Sequence, residues 1–283
     1  MGYKASPRPT FSEPTAIPFD RVTRHLWGDP EAGEVADWIY VSSDKIHQLL
    51  FGLPPRGAFR HSDAFRTIFA ADEVLYVLSG VMVLSNPQTG EVHRVEPGEA
   101  VFFRKNTWHH AFNYSHEPLM VLEYFSPPPS QGTSGAYAQT KPNLTEPRYG
   151  QEVWMGQWPM AREAHRAACT MTLLKPSDAL WRLEGKEQQT LVGILAATEH
   201  LTVGVIEILA GEKTDVQVHD GDKSLYVKSG TLHVHAPEAE GQSWFELNAK
   251  DGFYLPAGSP HQFYNISGDS VEFVFGVAPN YTP

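Results

Sequence analysis

The sequence repeats itself. Glu73-Val-Leu-Tyr-Val-Leu-Ser-Gly80 returns 150 residues later as Lys223-Ser-Leu-Tyr-Val-Lys-Ser-Gly230, and His109-His-Ala-Phe-Asn113 returns 152 residues later as His261-Gln-Phe-Tyr-Asn265. Two segments that match in the same order, with offsets differing by two residues, predict an internal duplication and therefore two copies of one domain. A chain of 283 residues has room for that, at roughly 100–150 residues per domain.

Each copy reads as antiparallel strands. Short runs such as 73–78, 81–84, 100–103, 201–208, 231–235 and 271–275 alternate apolar with polar residues. The 23 Gly and 22 Pro cut the chain between them, as at Asn86-Pro87, Pro97-Gly98 and Asp251-Gly252. Helical periodicity is confined to a short candidate over 160–168. About eight short strands per copy close into a double-sheet jelly roll. The Pro/Gly-rich stretch beginning Ser126-Pro-Pro-Pro lacks ladder donors and packing surface, so it predicts a linker. The expected organisation is an arm over 1–18, a first barrel over 19–126, a linker over 127–160 and a second barrel over 161–283.

Composition excludes several functions. With 15 Phe, 7 Trp and 11 Tyr the chain carries too much apolar surface for general disorder. A net charge of −11 argues against nucleic acid as a partner. A single cysteine, Cys169, forbids an internal disulfide, and its apolar neighbours read as an inert core thiol. No apolar run is long enough for a membrane span and none resembles a signal peptide, so a cytoplasmic protein that does not enter membranes is expected. Phosphate loops, nucleophile elbows and paired Cys-x-x-Cys motifs are missing, which leaves nucleotide binding, serine hydrolysis and thiol chemistry without support.

The repeated segments resemble the two motifs of the cupin superfamily, G-x5-H-x-H-x3/4-E-x6-G and G-x5-P-x-G-x2-H-x3-N. The carboxy-terminal copy carries the second motif as Pro256, Gly258, His261 and Asn265, but its first motif has Gln217, His219 and Lys223 where two His and a Glu are usual. The amino-terminal copy keeps Glu73, Gly80, Gly98, His109 and Asn113, with Thr67 and Phe69 at the His positions and Arg104 and Asn106 for Pro and Gly. The chain is therefore similar to a bicupin, an all-β tandem of two jelly-roll barrels with short helical pieces.

The resemblance implies a divalent metal ion, Fe, Mn, Ni or Zn, held by imidazoles and a carboxylate with positions open to substrate or dioxygen. In the first copy Glu73 and His109 are the candidates, with His61 as a third ligand if residues 64–69 form an insertion. In the second they are Gln217, His219 and His261. Arg104 and Lys223 are candidate catalytic side chains. Each has a plainer reading: His109 and His261 as core histidines, Glu73 as a solvated strand end, Lys223 as a surface ion pair with Asp220 and Asp222, His61 as a loop residue. His233 and His235 share one strand face, directed into the barrel or to solvent. Arg56, Arg60, Arg66 and Arg104 at the barrel mouth suit an anionic substrate, or are scattered solubilising charges. Six of the seven tryptophans, Trp38, Trp108, Trp154, Trp158, Trp181 and Trp244, are read as packing residues or a ring-binding platform. Two functions follow: a metal-dependent enzyme of the dioxygenase or isomerase and lyase type acting on a small organic molecule, or a metal-free module that binds or senses one. The family also implies a homodimer, with residues 1–18 as a possible swapped arm.

Overall fold

The computed structural model describes residues 6–127, 142 and 144–281. The strands of the first half are β1 (Thr15–Ile17), β2 (Thr23–Asp29), β3 (Gly33–Ser42), β4 (His47–Leu53), β5 (Ala58–Phe59), β6 (Asp72–Ser79), β7 (Met82–Asn86), β8 (Glu91–Val95), β9 (Ala100–Phe103), β10 (His110–Asn113) and β11 (Leu119–Ser126). After helix α1 (Arg162–Ala168) come β12 (Met171–Leu174), β13 (Leu180–Glu184), β14 (Thr190–Ala197), β15 (Thr202–Ile208), β16 (Asp222–Ser229), β17 (Thr231–His235), β18 (Trp244–Asn248), β19 (Gly252–Leu255), β20 (Gln262–Tyr264) and β21 (Val271–Ala278).

Each half pairs a seven-stranded sheet with a small one. The first half has β12-β9-β6-β11-β4-β3-β2 facing β5-β10-β7-β8, and the second has β1-β19-β16-β21-β15-β14-β13 facing β18-β17-β20. Side chains alternate across the large sheets, so each strand divides between two cores. On β6, Leu75 and Val77 turn into the first barrel, while Val74 and Tyr76 turn outward. Leu225 and Val227 fill the second barrel in the same way, while Tyr226 turns outward. The outward faces of both large sheets meet in a third core built on Tyr40, Leu122, Tyr124, Val203, Tyr226 and Val274.

The halves exchange strands. β1 pairs with β19 of the second barrel (Thr15 to Tyr254, Ile17 to Gly252) and β12 pairs with β9 of the first (Met171 to Phe103, Leu174 to Ala100). The expected boundary at 161 therefore needs correction, since Met171 packs into the first barrel's core. The arm expected over 1–18 docks, from Thr15 on, against the same chain's second barrel; residues 1–5 and most of the linker, 128–141 and 143, lie outside the described residues. The motif glycine repeated at 80 and 230 has φ of 74° and 79°, and a Cβ there would strike Leu119 Cα or Ser270 O at 2.8 Å. Only glycine suits both demands.

Candidate functional site

Alternation on β6 and β11 builds the inner wall of the first barrel. Register sets Glu73 against Phe125 and Leu75 against Glu123, so Glu73 and Glu123 are diagonal neighbours on one face. Both are buried and their carboxyl groups are hydrogen-bonded to each other. Burial, then the charge of the partner and of Asp72, raises Glu73 well above the usual carboxylate range, and burial raises Glu123 as well. Both carboxyls are therefore harder to ionise than solvated ones.

His109, just before β10, faces this pair. Its Nδ1 donates to the Thr107 carbonyl at 3.3 Å, which leaves the lone pair on Nε2, 4.0 Å from Glu73 Oε2. Burial lowers its pKa to about 4, so the ring is neutral. A small cavity open to solvent lies beside these groups, lined by Trp27, Asp37, His47, Thr67, His109 and Glu123, with Arg8 also in its lining. Two buried polar atoms of its lining, Thr67 Oγ1 and His47 Nε2, have no hydrogen-bond partner, and neither has Glu73 Oε2 beside His109. Leaving such atoms unpaired costs about 1–3 kcal/mol each, which marks the cavity as built around something that binds.

In the second barrel the equivalent positions hold Gln217, His219, Lys223 and His261, all buried. Lys223 Nζ lies 3.3 Å from Gln217 Oε1, 3.2 Å from His219 Nε2 and 3.4 Å from His261 Nε2. His261 Nδ1 donates to the Ser259 carbonyl at 3.0 Å, matching His109 in the first barrel. The rings of Phe263 and Phe275 cover the amine, with centroids 4.8 and 5.2 Å away.

The family described as Cupin domain matches residues 70–125 and 204–277, one segment in each barrel. Among solved structures, protein Ylba from E. coli aligns over 100% of this chain and 99% of its own with a TM-score of 0.64 at 12% identity. A variant of Bacillus subtilis oxalate decarboxylase OxdC aligns over 98% and 80% (TM-score 0.62, 13% identity), and AerE from Microcystis aeruginosa over 91% and 97% (TM-score 0.59, 11% identity). The chain is a bicupin. At these identities the likeness to the solved structures is one of fold, and no curated protein matches the sequence.

Several expected site residues of this bicupin lie elsewhere. His61 does not join Glu73 and His109. Its Nδ1 is 2.7 Å from His110 Nε2 and its Nε2 2.8 Å from the Leu144 carbonyl. His110 neighbours His109 and so points to the opposite face of the sheet, taking His61 with it. Arg104 lies outside the cavity lining; its guanidinium forks onto Glu199 of the second barrel and reaches Asp72 of its own barrel at 3.2 Å, a clasp between barrels. Arg56, Arg60, Arg66 and Arg104 are all outside the cavity lining, where Arg8 stands instead.

Neither Glu73 nor Lys223 is a surface group, each being 1% exposed. Lys223 itself lines none of the described cavities, although Gln217, 3.3 Å from its Nζ, lines one together with Glu184. His233 and His235 face away from the barrel, toward Glu246 and Trp244. Cys169 is half-buried rather than in the core and lies with Glu91 and His93, three potential ligand atoms within 4.8 Å of one another. Glu91 is already committed there to the backbone N–H groups of Thr170 and Met171. The repeated Asn113 and Asn265 are pins: each side-chain amide donates to loop carbonyls, including Glu117 O and Asp269 O, and each accepts from a serine two residues on.

Sequence reasoning missed Glu123, Asp37, His47, Arg8 and Trp27. All lie outside the two motifs, and only strand register brings them to the cavity.

Proposed function

We propose that the first barrel is the functional centre and that it acts on a small organic molecule, with Glu73, His109 and Glu123 as the residues that would hold a divalent metal. The observation that carries this reading is a cavity lined by the neutral imidazole of His109 and by Glu123, with unpartnered buried atoms of Thr67 and His47 in its wall and the unpartnered Glu73 Oε2 4.0 Å from His109 Nε2. A carboxyl pair kept protonated by burial is costly alone, and a divalent cation is the partner that would restore both carboxylates to their charged form. Glu73 Oε2 and His109 Nε2 face each other at 4.0 Å, and with Glu123 they are the residues that would hold such an ion. Bound there, Fe, Mn, Ni or Zn would supply Lewis acidity toward a substrate oxygen.

The remaining chemistry belongs to the chain. With both carboxylates charged, Glu123, which lines the cavity, would take a proton from a carbon or oxygen of a molecule lying against it and could return it to another atom of that molecule. Phe59, Phe69 and Phe103 pack around His109 and keep water from the imidazole. Arg8, at the cavity's edge, supplies one positive charge for an anionic substrate. This arrangement favours isomerase or lyase chemistry, which moves protons, over oxygenation. Cytoplasmic location and a homodimer complete the proposal; among the described residues no helix is long and apolar enough to cross a membrane.

A second reading, a metal-free binding module, is favoured by one observation: Thr67 and Phe69 replace the two imidazoles of the usual motif. Metal content separates the two. Protein purified without chelator and reconstituted with each of the four metals is expected to hold one equivalent, lost in His109→Ala and reduced in Glu73→Gln. Less than about 0.1 equivalent in the wild type after reconstitution would leave the binding-module reading standing.

A further inference from the structure

We propose that the second barrel is a metal site in which the ε-amino group of Lys223 has taken the metal's place, so that the barrel retains its donor atoms yet admits no ion until that side chain is changed. An ammonium carries three N–H donors, and Nζ here meets three acceptors, Gln217 Oε1, His219 Nε2 and His261 Nε2, at 3.2–3.4 Å. Those three atoms converge on one point as ligands do. A metal ion would have to lie about 2.0–2.2 Å from each of them, inside the volume the nitrogen fills.

The surroundings support the exchange. The first barrel offers a carboxylate at the equivalent point of β6, and its neighbour on the last strand, Glu123, corresponds to Phe275 here. Where Glu123 presents a second oxygen to the site, Phe275 presents a ring face to the amine, together with Phe263. Around His219 the order continues outward: Tyr281 stacks on the imidazole at 4.8 Å and donates its hydroxyl to Glu184 Oε2 at 2.7 Å. Glu184 is the acidic group whose charge acts on Lys223 across this layer. The two barrels thus divide one motif between them, the first keeping the carboxylate and a single imidazole, His109, and the second keeping two imidazoles, His219 and His261, with an amine for the carboxylate.

The test is the number of metal ions per chain in the wild type and in Lys223→Glu, which restores the usual carboxylate. Full-length protein is stripped with chelator and titrated with Co(II), whose d–d absorption reports donor number, and metal is counted after desalting. Lys223→Glu is expected to take up one equivalent more than the wild type, with the extra equivalent abolished by adding His261→Ala and left intact by adding His109→Ala. Lys223→Ala, which removes the amine and leaves Gln217, His219 and His261 in place, should also gain a site, of lower affinity; it serves where Lys223→Glu does not fold without metal. Two outcomes overturn the proposal: a wild-type equivalent that His261→Ala removes, or variants that keep the wild-type circular dichroism yet bind no additional cobalt. Because the readout is a difference between variants at the second barrel, it stands whether or not the first barrel binds metal.

Discussion

At the scale of single residues, burial decides what each ionisable group can do. Lys223 shows this most simply: burial lowers its pKa to about 7, partly opposed by Glu184. A group whose folded pKa is depressed stabilises the fold above its unfolded pKa, near 10.5, and that contribution is lost as pH falls toward 7. Urea midpoints for wild type and Lys223→Met should therefore diverge between pH 10 and 7, the wild type losing on the order of 3 kcal/mol relative to the variant. A pH-independent difference would show that the amine is as well solvated folded as unfolded. The residues that matter here divide into two kinds. Glu73, His109, His219, Lys223 and His261 were legible because a duplicated motif fixes their positions twice. Glu123 was not, since nothing in Leu122-Glu123-Tyr124 distinguishes a carboxyl facing a cavity from one facing water until the register with β6 is known. His61 misled for the opposite reason: its neighbours in sequence left its direction open, and His110 claimed it.

At the scale of elements, the crossing strand β12 depends on one side chain. Glu91 on β8 accepts the backbone N–H groups of Thr170 (2.7 Å) and Met171 (3.0 Å), the Thr170 hydroxyl, and His93 Nε2 at 2.7 Å. Although burial works the other way, these bonds hold its carboxyl at about 2. Glu91→Ala leaves those donors without acceptors just where the chain enters the first barrel, and should cost about 2–4 kcal/mol in chemical denaturation; a loss below about 0.5 kcal/mol would mean that β12 holds its place without the pin. A second element-scale prediction concerns β21. A Cβ on Gly276 would press on the Tyr124 ring of the other barrel, whose hydroxyl donates to Val274 O at 3.1 Å. Gly276→Val should destabilise by about 1–3 kcal/mol through overpacking, and pairing it with Tyr124→Ala should recover part of that loss. The strands themselves could be read from alternation and turns. Which sheet β1 and β12 would join could not, because a strand's own pattern records that it has an apolar face and not whose.

At the scale of the whole molecule, the two barrels are one folding unit. Three independent features tie them: the exchange of β1 and β12, the shared tyrosine-rich core between the large sheets, and the Arg104 fork onto Glu199 and Asp72. The Arg104–Glu199 pair is exposed and contributes little, as solvent-screened surface pairs do. The shared core contributes most, since Tyr40, Leu122, Tyr124, Val203 and Val274 are all fully shielded and each such apolar side chain contributes about 1.5–3 kcal/mol. Separating the halves would expose that face and remove an edge strand from each large sheet, β12 from one and β1 from the other. The expectation is a single calorimetric transition for the full chain, with a van't Hoff enthalpy equal to the calorimetric one. A fragment ending at residue 160 and another beginning at 175 should each be insoluble or molten, and mixing them during refolding can return β1 to the second sheet but not β12 to the first, because β12 lies outside both. Extending the first fragment to 175 returns β12 to its sheet and should raise its soluble yield above that of the shorter one. Two resolved transitions, or a well-folded fragment ending at 160, would show instead that the duplicated barrels have kept the independence their common origin gave them.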